Sequence, residues 1–172
     1  MDDIMSMVSI RANTNGDTRV ADHVPTMKEF DSANRSHQRD VQALAHAFAT
    51  AIIRQSQRHD WTKTTEPYKS MFYRDFCDTM NGYLGHFEDG EWAKLHYDEL
   101  ERHHLLRHVP EDVNLIDVIE MICDCVCAGM ARSNNVYNVE IPKDVLVLAA
   151  ANTFKILREH VTVEGKDNGS AD

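Results

Sequence analysis

The stretch VNLIDVIEMICDCVCAGMAR, residues 113–132, decides the fold. Its apolar side chains occupy nearly the whole circumference of an α-helix, which is typical of a helix buried at the centre of a domain. Asp117, Glu120 and Asp124 interrupt the pattern at positions i, i+3 and i+7 and therefore share one face. Because an unpaired carboxylate is costly in an apolar core, these acids either form a solvent face or lie opposite cations. The flanking cysteines and valine favour the second alternative for Asp124.

Weaker periodic patterns predict four more helices, over residues 37–56, 65–82, 91–106 and 142–160. Ser36 is a suitable N-cap for the first of them, and glycine or proline residues delimit the others. The sequence shows neither a sustained strand-like alternation nor an internal repeat. It therefore predicts an all-α protein, a compact bundle of five to six helices.

The length and charge of the chain limit its organisation and its partners. A chain of 172 residues can form one domain with a substantial core. We place this helical domain at residues 36–163, after a partly irregular arm at residues 1–35 and before a disordered tail at residues 164–172. A net charge of −10 argues against bulk nucleic acid as a partner, but not against a small anionic substrate. An arm that packs on a neighbouring subunit would produce a homo-oligomer.

Hydrophobicity and cysteine usage indicate the compartment. The sequence has no apolar run of transmembrane length, and it opens with two Asp rather than with a basic segment before an apolar one. We therefore expect neither a membrane span nor a signal peptide, and a cytoplasmic location. The four cysteines lack the paired Cys-x-x-Cys spacing of zinc sites. We expect them to be small, buried thiols.

The motif His59-Asp60-Trp61-Thr62-Lys63 indicates chemistry. Adjacent His and Asp side chains bind one cation together, or are divided between two. Lys63 follows Asp60 by one helical turn on the same face, where its ammonium group can meet an anionic group bound to the metal. Imidazoles combined with carboxylates suit Mn, Fe, Co, Ni or Zn better than Ca²⁺. The motif therefore predicts a transition-metal centre.

Three more histidines are candidate ligands in the third predicted helix. His96 and His103 are seven residues apart, so a helix places them on one face, and His104 can turn toward the same site. Three imidazoles within nine residues, opposite a helix with buried acids, favour metal binding. The residues between them, including Glu101, are expected on a solvated face.

His37 is the weakest member of the predicted ligand set. It precedes His59 by 22 residues, which in one straight helix is about 33 Å at a rise of 1.5 Å per residue. A metal shared by the two therefore requires a break in the first helix, which we place around residues 47–51. His46 and His23 are the alternatives. For an anionic substrate, the candidate cations are Lys63, Lys69, Arg74 and Arg102.

The ordered series of His, His-Asp, further His and Asp on successive helices resembles the HD-domain superfamily of metal-dependent phosphohydrolases, over about residues 36–130. The resemblance implies one metal at His37, His59, Asp60 and Asp124, and a second at His96, His103 and His104. Lys63 matches the lysine of the His-Asp-x-x-Lys signature in branches with binuclear sites. The interval between His96 and His103 is short for those branches, and the Gly-Tyr-Pro motif of the cyclic-dinucleotide branch is absent.

Residues 92–124 also look like an uncharacterised bacterial and phage branch of that superfamily. A His-Asp-x-Ser-Lys motif is typical there, and Thr62 conservatively replaces the Ser. This resemblance implies the cytoplasm of a bacterium or of a phage-infected host.

Three functions are compatible with these features. The first is a phosphohydrolase that acts on a nucleotide or related phosphoester, in which one or two divalent ions (Mn, Co, Zn, Ni or Fe) activate a water as nucleophile. Asp60 would orient that water, and Lys63 would stabilise charge on the phosphoryl oxygens. The second is a di-iron oxygenase on the same scaffold. The third is a non-catalytic, phage-type binding or inhibitor protein, whose acidic surface suits a partner with a basic face.

Overall fold

The computed structural model describes residues 5–12, 18–137 and 139–164. Within these residues the all-α prediction is confirmed, with five α-helices. They are α1 (Met27–Ser56), α2 (Tyr68–Met80), α3 (Glu91–Leu95), α4 (Leu115–Ser133) and α5 (Lys143–Glu159). A π-helical turn (His96–Leu100) continues α3, and 3-10 turns are formed by Thr18–Val20, Trp61–Lys63 and Phe87–Asp89. In this part of the chain, no helix has the length and apolar character needed to cross a membrane.

The chain divides into two compact units, one formed by residues 1–53 with 154–172 and the other by residues 54–153. The first contains two short parallel strands, β1 (Val8–Arg11) and β2 (Val161–Glu164), with Val8 opposite Val161. Four residues are too few to show a strand period in the sequence. The sequence pattern therefore does not reveal β1, which lies within the arm predicted to be partly irregular. The tail predicted to be disordered falls almost entirely outside the described residues.

Helix α1 begins earlier than predicted, because its N-terminal cap is at Thr26. The backbone N–H of Thr26 donates to Glu29 Oε2 (2.8 Å), and the N–H of Glu29 donates to Thr26 Oγ1 (3.3 Å). This reciprocal pair is a capping box. Ser36, the predicted N-cap, is instead buried within the helix, where its hydroxyl accepts hydrogen bonds from Arg11 and Arg39 (both 3.2 Å).

The second unit contains the hydrophobic core around which the candidate site is built. The core residues are Leu105, Val113, Val118, Met121, Val145 and Ala149. The composition of helix α4 predicts burial on all sides, but the helix buries only one face here. Ile122 and Met130 are about half exposed. Cys123 and Cys127 are exposed as well, so the expectation of buried thiols is wrong for these two.

Asp75 in α2 fixes the start of α3. Its carboxylate is buried and accepts a hydrogen bond from the backbone N–H of Trp92 (2.7 Å). Gly90 packs so closely on this carboxylate that an added Cβ would lie 2.3 Å from Asp75 Oδ2. The contact holds the helix that leads into His96.

We predict that Gly90→Ala lowers the free energy of unfolding by about 1–3 kcal/mol, because the methyl group overpacks a buried contact. Urea denaturation measures the effect. Gly85→Ala is the matched control, since its Cβ would lie 3.9 Å from Asp89, an ordinary contact. Equal stability of the two variants would contradict the prediction.

Candidate metal centre

The His-Asp pair lies in a turn that follows α1. Asp60 adopts the left-handed conformation (φ 55°, ψ 33°), which Asp tolerates better than most residues. The next turn brings the ammonium group of Lys63 onto Asp60 Oδ2. Burial alone would raise the pKa of Asp60, but the hydrogen bond and charge of Lys63 outweigh it and the net direction is down. Asp60 is therefore ionised at neutral pH. Lys63 contacts one of its oxygens, Oδ2, and the other oxygen, Oδ1, does not take part in that contact.

Four side chains bring their donor atoms within 4.8 Å of one another: Asp60, His96, His103 and His104. We call them the histidine cluster. His96 Nε2 lies 3.5 Å from Asp60 Oδ1, His103 Nε2 lies 3.9 Å from the same oxygen, and the Nε2 atoms of His96 and His104 are 2.8 Å apart. Donor atoms each about 2.1 Å from one ion lie roughly 3–3.5 Å apart. Only small adjustments are therefore needed for the cluster to coordinate an ion.

Three buried polar atoms of the described residues have no hydrogen-bond partner, and all three belong to this cluster. They are Asp60 Oδ1 and both ring nitrogens of His103. Buried polar atoms are almost always paired, and an unpaired one costs about 1–3 kcal/mol. A cation bound between Asp60 and His103 would satisfy Oδ1 and Nε2. This is the strongest single indication of a metal.

The histidines of the cluster are electrostatically suited to bind a metal. Burial lowers the pKa of His103. Burial, followed by the charge of His104, lowers the pKa of His96 to about 3, and burial, followed by the charge of His103, lowers that of His104 to about 4. These imidazoles are therefore neutral, which is the form that binds metals. Three neutral imidazoles and one carboxylate fit a transition metal better than Ca²⁺ or Mg²⁺.

A buried network orients the ring of His96. The indole of Trp92 stacks on it at 4.3 Å between centroids, and its Nδ1 lies 2.7 Å from Thr62 Oγ1. That hydroxyl donates to Glu101 Oε1 (3.0 Å), which also accepts from the Thr62 backbone N–H (3.1 Å). Since the Thr62 proton is used on Glu101, Nδ1 of His96 is the donor to Thr62. The lone pair of His96 is then on Nε2, facing the cluster.

The third helix is shorter than predicted, and this changes how His103 reaches the site. The helix changes to a π turn at His96 and ends at Leu100, with Glu101 N–H donating to His96 O (3.2 Å). Such π turns are frequent at functional sites. His103 and His104 therefore lie in the turns that follow, and not on a helix face shared with His96. Glu101, expected on a solvated face, is buried.

A second group of donors surrounds His59. Its Nδ1 lies 3.0 Å from Glu120 Oε1, and its Nε2 lies 3.5 Å from Asp60 Oδ2 and 3.6 Å from Asp124 Oδ1. Hydrogen bonds with Asp124 and then Glu120 raise the pKa of His59 to about 10. A metal at Nε2 would compete with that proton, while Nδ1–H stayed on Glu120, as a carboxylate typically orients a metal-bound histidine.

Glu120 joins the two groups of donors. Its Oε1 lies 3.4 Å from His103 Nδ1, its Oε2 accepts from Gln55 (2.9 Å), and His59, His103 and Glu120 form a second set with metal-binding geometry. At this position the acid-bearing face of α4 therefore meets the protonated His59 and the amide of Gln55 rather than solvent. Asp60 directs Oδ1 toward His96 and His103 and Oδ2 toward His59, so its two oxygens face both groups of donors.

The predicted ligand His37 lies on a helix that lacks the predicted break. Helix α1 is continuous from Met27 to Ser56, so the break predicted around residues 47–51 is absent. His37 and His46 are exposed on this helix, and His23 is exposed and pairs with Asp22 (2.9 Å). None of the three belongs to either set of donors, and we therefore remove His37 from the ligand set.

Three of the four predicted substrate-binding cations have other partners or positions, and the first of them, Arg74, pairs with Glu91 (2.8 Å). Arg102 donates both to Asp117 (2.8 Å to each oxygen) and to Asp112 (2.9 Å). Asp117 in turn caps α4 by accepting from the N–H of Asn114 (2.9 Å), so Arg102 supports the helix start. Lys69 is exposed in the first turn of α2, outside both sets of donors. Lys63 is the predicted cation that the structure places at the centre.

A cavity of about 450 Å³ borders the candidate centre. His103, His104 and Asp124 form the part of its wall that belongs to the centre, and apolar and aromatic side chains form most of the remainder. A small molecule in the cavity would therefore touch the metal-binding side chains directly.

A family model described as a family of unknown function (DUF5662) matches residues 26–162. The chain belongs to this family. Neither a curated protein nor a solved structure matches the chain significantly.

Proposed function

We propose that this member of the DUF5662 family is a metal-dependent phosphohydrolase of the HD type, which acts on a nucleotide or related phosphoester. The observation that carries the proposal is Asp60, a partly buried carboxylate whose buried Oδ1 is unpaired and faces neutral histidines, while its other oxygen contacts Lys63. A divalent transition metal bound there supplies Lewis acidity and lowers the pKa of a coordinated water.

The protein's own residues have separate roles in this proposal. Asp60, His96, His103 and His104 would hold one ion, and His59 Nε2 and Asp124 would offer donors for a second. Lys63 would stabilise negative charge on the phosphoryl group, since its side chain is only about one-third exposed and its ammonium group contacts Asp60. Glu101, through Thr62, and Glu120 fix the orientation of the imidazoles.

A di-iron oxygenase is the second candidate. A site with three imidazoles and one carboxylate at a single ion also suits iron. Iron content together with substrate-dependent oxygen consumption would favour this candidate over a hydrolase.

The test combines elemental analysis with a hydrolysis assay on protein purified without a metal-affinity tag. We expect one or two equivalents of transition metal in the wild type and less than about a tenth of that in a His59→Ala, Asp60→Ala double variant, because both groups of donors lose a ligand. We expect phosphoester hydrolysis to follow the metal content.

His37→Ala is the matched control. It removes an exposed imidazole that the sequence predicts as a ligand but that belongs to neither set of donors. It should keep full metal content. A wild type that remains metal-free and inactive after addition of Mn, Co, Ni, Zn or Fe would overturn the proposal and favour a binding protein.

A further inference from the structure

We infer that the cavity beside the histidine cluster selects phosphomonoesters with an uncharged aromatic group and rejects polyphosphates. This inference rests on the proposed function, because it assigns the phosphate to the metal and the organic group to the cavity. It concerns the substrate class of that site.

The first argument is the composition of the wall. Leu105, Met121 and Val139 belong to or pack on the hydrophobic core and also line the cavity. A volume of about 450 Å³ is within the range of pockets for small organic ligands, whose walls are mainly apolar. Transfer of an apolar group from water to such a wall is favourable. A sugar phosphate with many hydroxyls would find few partners there.

The second argument is charge. Of the described residues that line the cavity, Arg107 is the one Lys or Arg. Its guanidinium is already paired with Asp98 (3.2 Å), lies 3.9 Å from Glu88, and sits over the Tyr97 ring at 5.7 Å. Arg132, a second cation beside this wall, is engaged by the Tyr137 side chain. The β- and γ-phosphates of a nucleoside triphosphate would therefore lie near Asp98 and Glu88, without an uncommitted cation among the lining residues. A single phosphate needs only the metal and Lys63.

The third argument is the pair of tyrosines. Tyr97 and Tyr137 both line the cavity, and flat aromatic groups stack favourably on such rings. The guanidinium of Arg132 lies beside the Tyr137 side chain and interacts with it electrostatically. The backbone of residues 135–137 also packs on Gly129, where a Cβ would lie 2.8 Å from the Tyr137 nitrogen.

The experiment has a kinetic arm and a binding arm, both with Mn²⁺-loaded full-length protein. In the kinetic arm, kcat/KM is measured for 1-naphthyl phosphate, a nucleoside 5′-monophosphate, its triphosphate and glycerol phosphate. We expect the two aromatic monoesters to exceed the other two by about tenfold or more. In the binding arm, Kd is measured for phenylphosphonate and methylphosphonate, which are not hydrolysed, and the phenyl compound should bind about tenfold more tightly.

Tyr137→Ala should remove most of both preferences, about tenfold, because the aromatic group of the ligand loses a ring on which to stack. Tyr83→Ala is the matched control, since Tyr83 is 82% exposed and does not line the cavity. Hydrolysis without an aromatic preference, or equal behaviour of the two variants, would overturn the inference and leave the phosphohydrolase intact. An inactive protein that still prefers phenylphosphonate would support the cavity assignment and overturn the hydrolase. Equal phosphonate affinities would overturn the inference whether or not the protein is active.

Discussion

Replacement of Asp60 by asparagine is expected to reduce bound metal to below about a tenth of an equivalent and hydrolysis by about 1,000-fold or more. Residues that only orient metal ligands already contribute about 10–100-fold to metal affinity or activity. Asp60 should contribute more, because it presents one oxygen to His96 and His103 and the other to His59. The amide keeps the shape of the side chain but loses its charge, and its nitrogen cannot coordinate like a carboxylate oxygen.

Thermal unfolding with and without Mn²⁺ separates loss of metal binding from loss of folding. At a metal concentration about 100 times Kd, the wild type should gain about 2.7 kcal/mol, and Asp60→Asn should gain almost nothing. Without metal the two proteins should unfold at similar temperatures, since the carboxylate is stabilised by Lys63 but costly to bury.

Asp89→Asn, which neutralises an exposed carboxylate of the same unit, is the control and should behave like the wild type. An Asp60→Asn protein that binds a full equivalent of metal and retains the thermal shift would show that the histidine cluster is not the metal site.

Replacement of Thr62 by valine is expected to weaken metal binding by about 10–100-fold and to lower the free energy of unfolding by about 1–3 kcal/mol. Valine has nearly the same shape but no hydroxyl. The Nδ1–H of His96 then loses its acceptor and Glu101 loses a donor, both in positions that are almost fully buried. Burial raises the pKa of Glu101, and the loss of Thr62 as a donor would raise it further.

Thr62→Ser distinguishes the hydroxyl from the methyl group, because it restores the relay from His96 to Glu101 and should recover most of the metal affinity. Thr64→Val is the control for a threonine-to-valine change, since Thr64 is exposed and donates only to a backbone carbonyl (3.1 Å). Metal Kd from competition with a chelating dye and ¹⁵N NMR of the His96 ring measure affinity and tautomer. If valine weakened metal binding no more than serine, Thr62 would not be a positioning residue.

Local pattern in the sequence was sufficient to identify most helices and the central motif. The apolar run of α4 predicted its span to within a residue or two of Leu115–Ser133, because helical periodicity depends on neighbours three and four positions away. The contact between Lys63 and Asp60 follows from the same spacing.

Local pattern failed where a boundary depended on contacts with distant residues. The sequence 101–106 is helix-compatible, but Glu101 is buried against Thr62, and the chain leaves the helix there. Helix α1 is also uninterrupted, because residues 27–56 contain no Gly or Pro that would break it.

The sequence by itself determined that the protein is helical and that a His-Asp pair with a nearby lysine lies after the first long helix. Only the tertiary structure decided which side chains meet that pair. The donors come from the π turn, from the turns that follow it and from α4, between 36 and 64 residues beyond Asp60. Their meeting depends on how the helices pack in the folded core, a property that no local period encodes. In the folded protein Arg102 binds Asp117, which caps α4. Thr62, Glu101 and Glu120 orient the histidines.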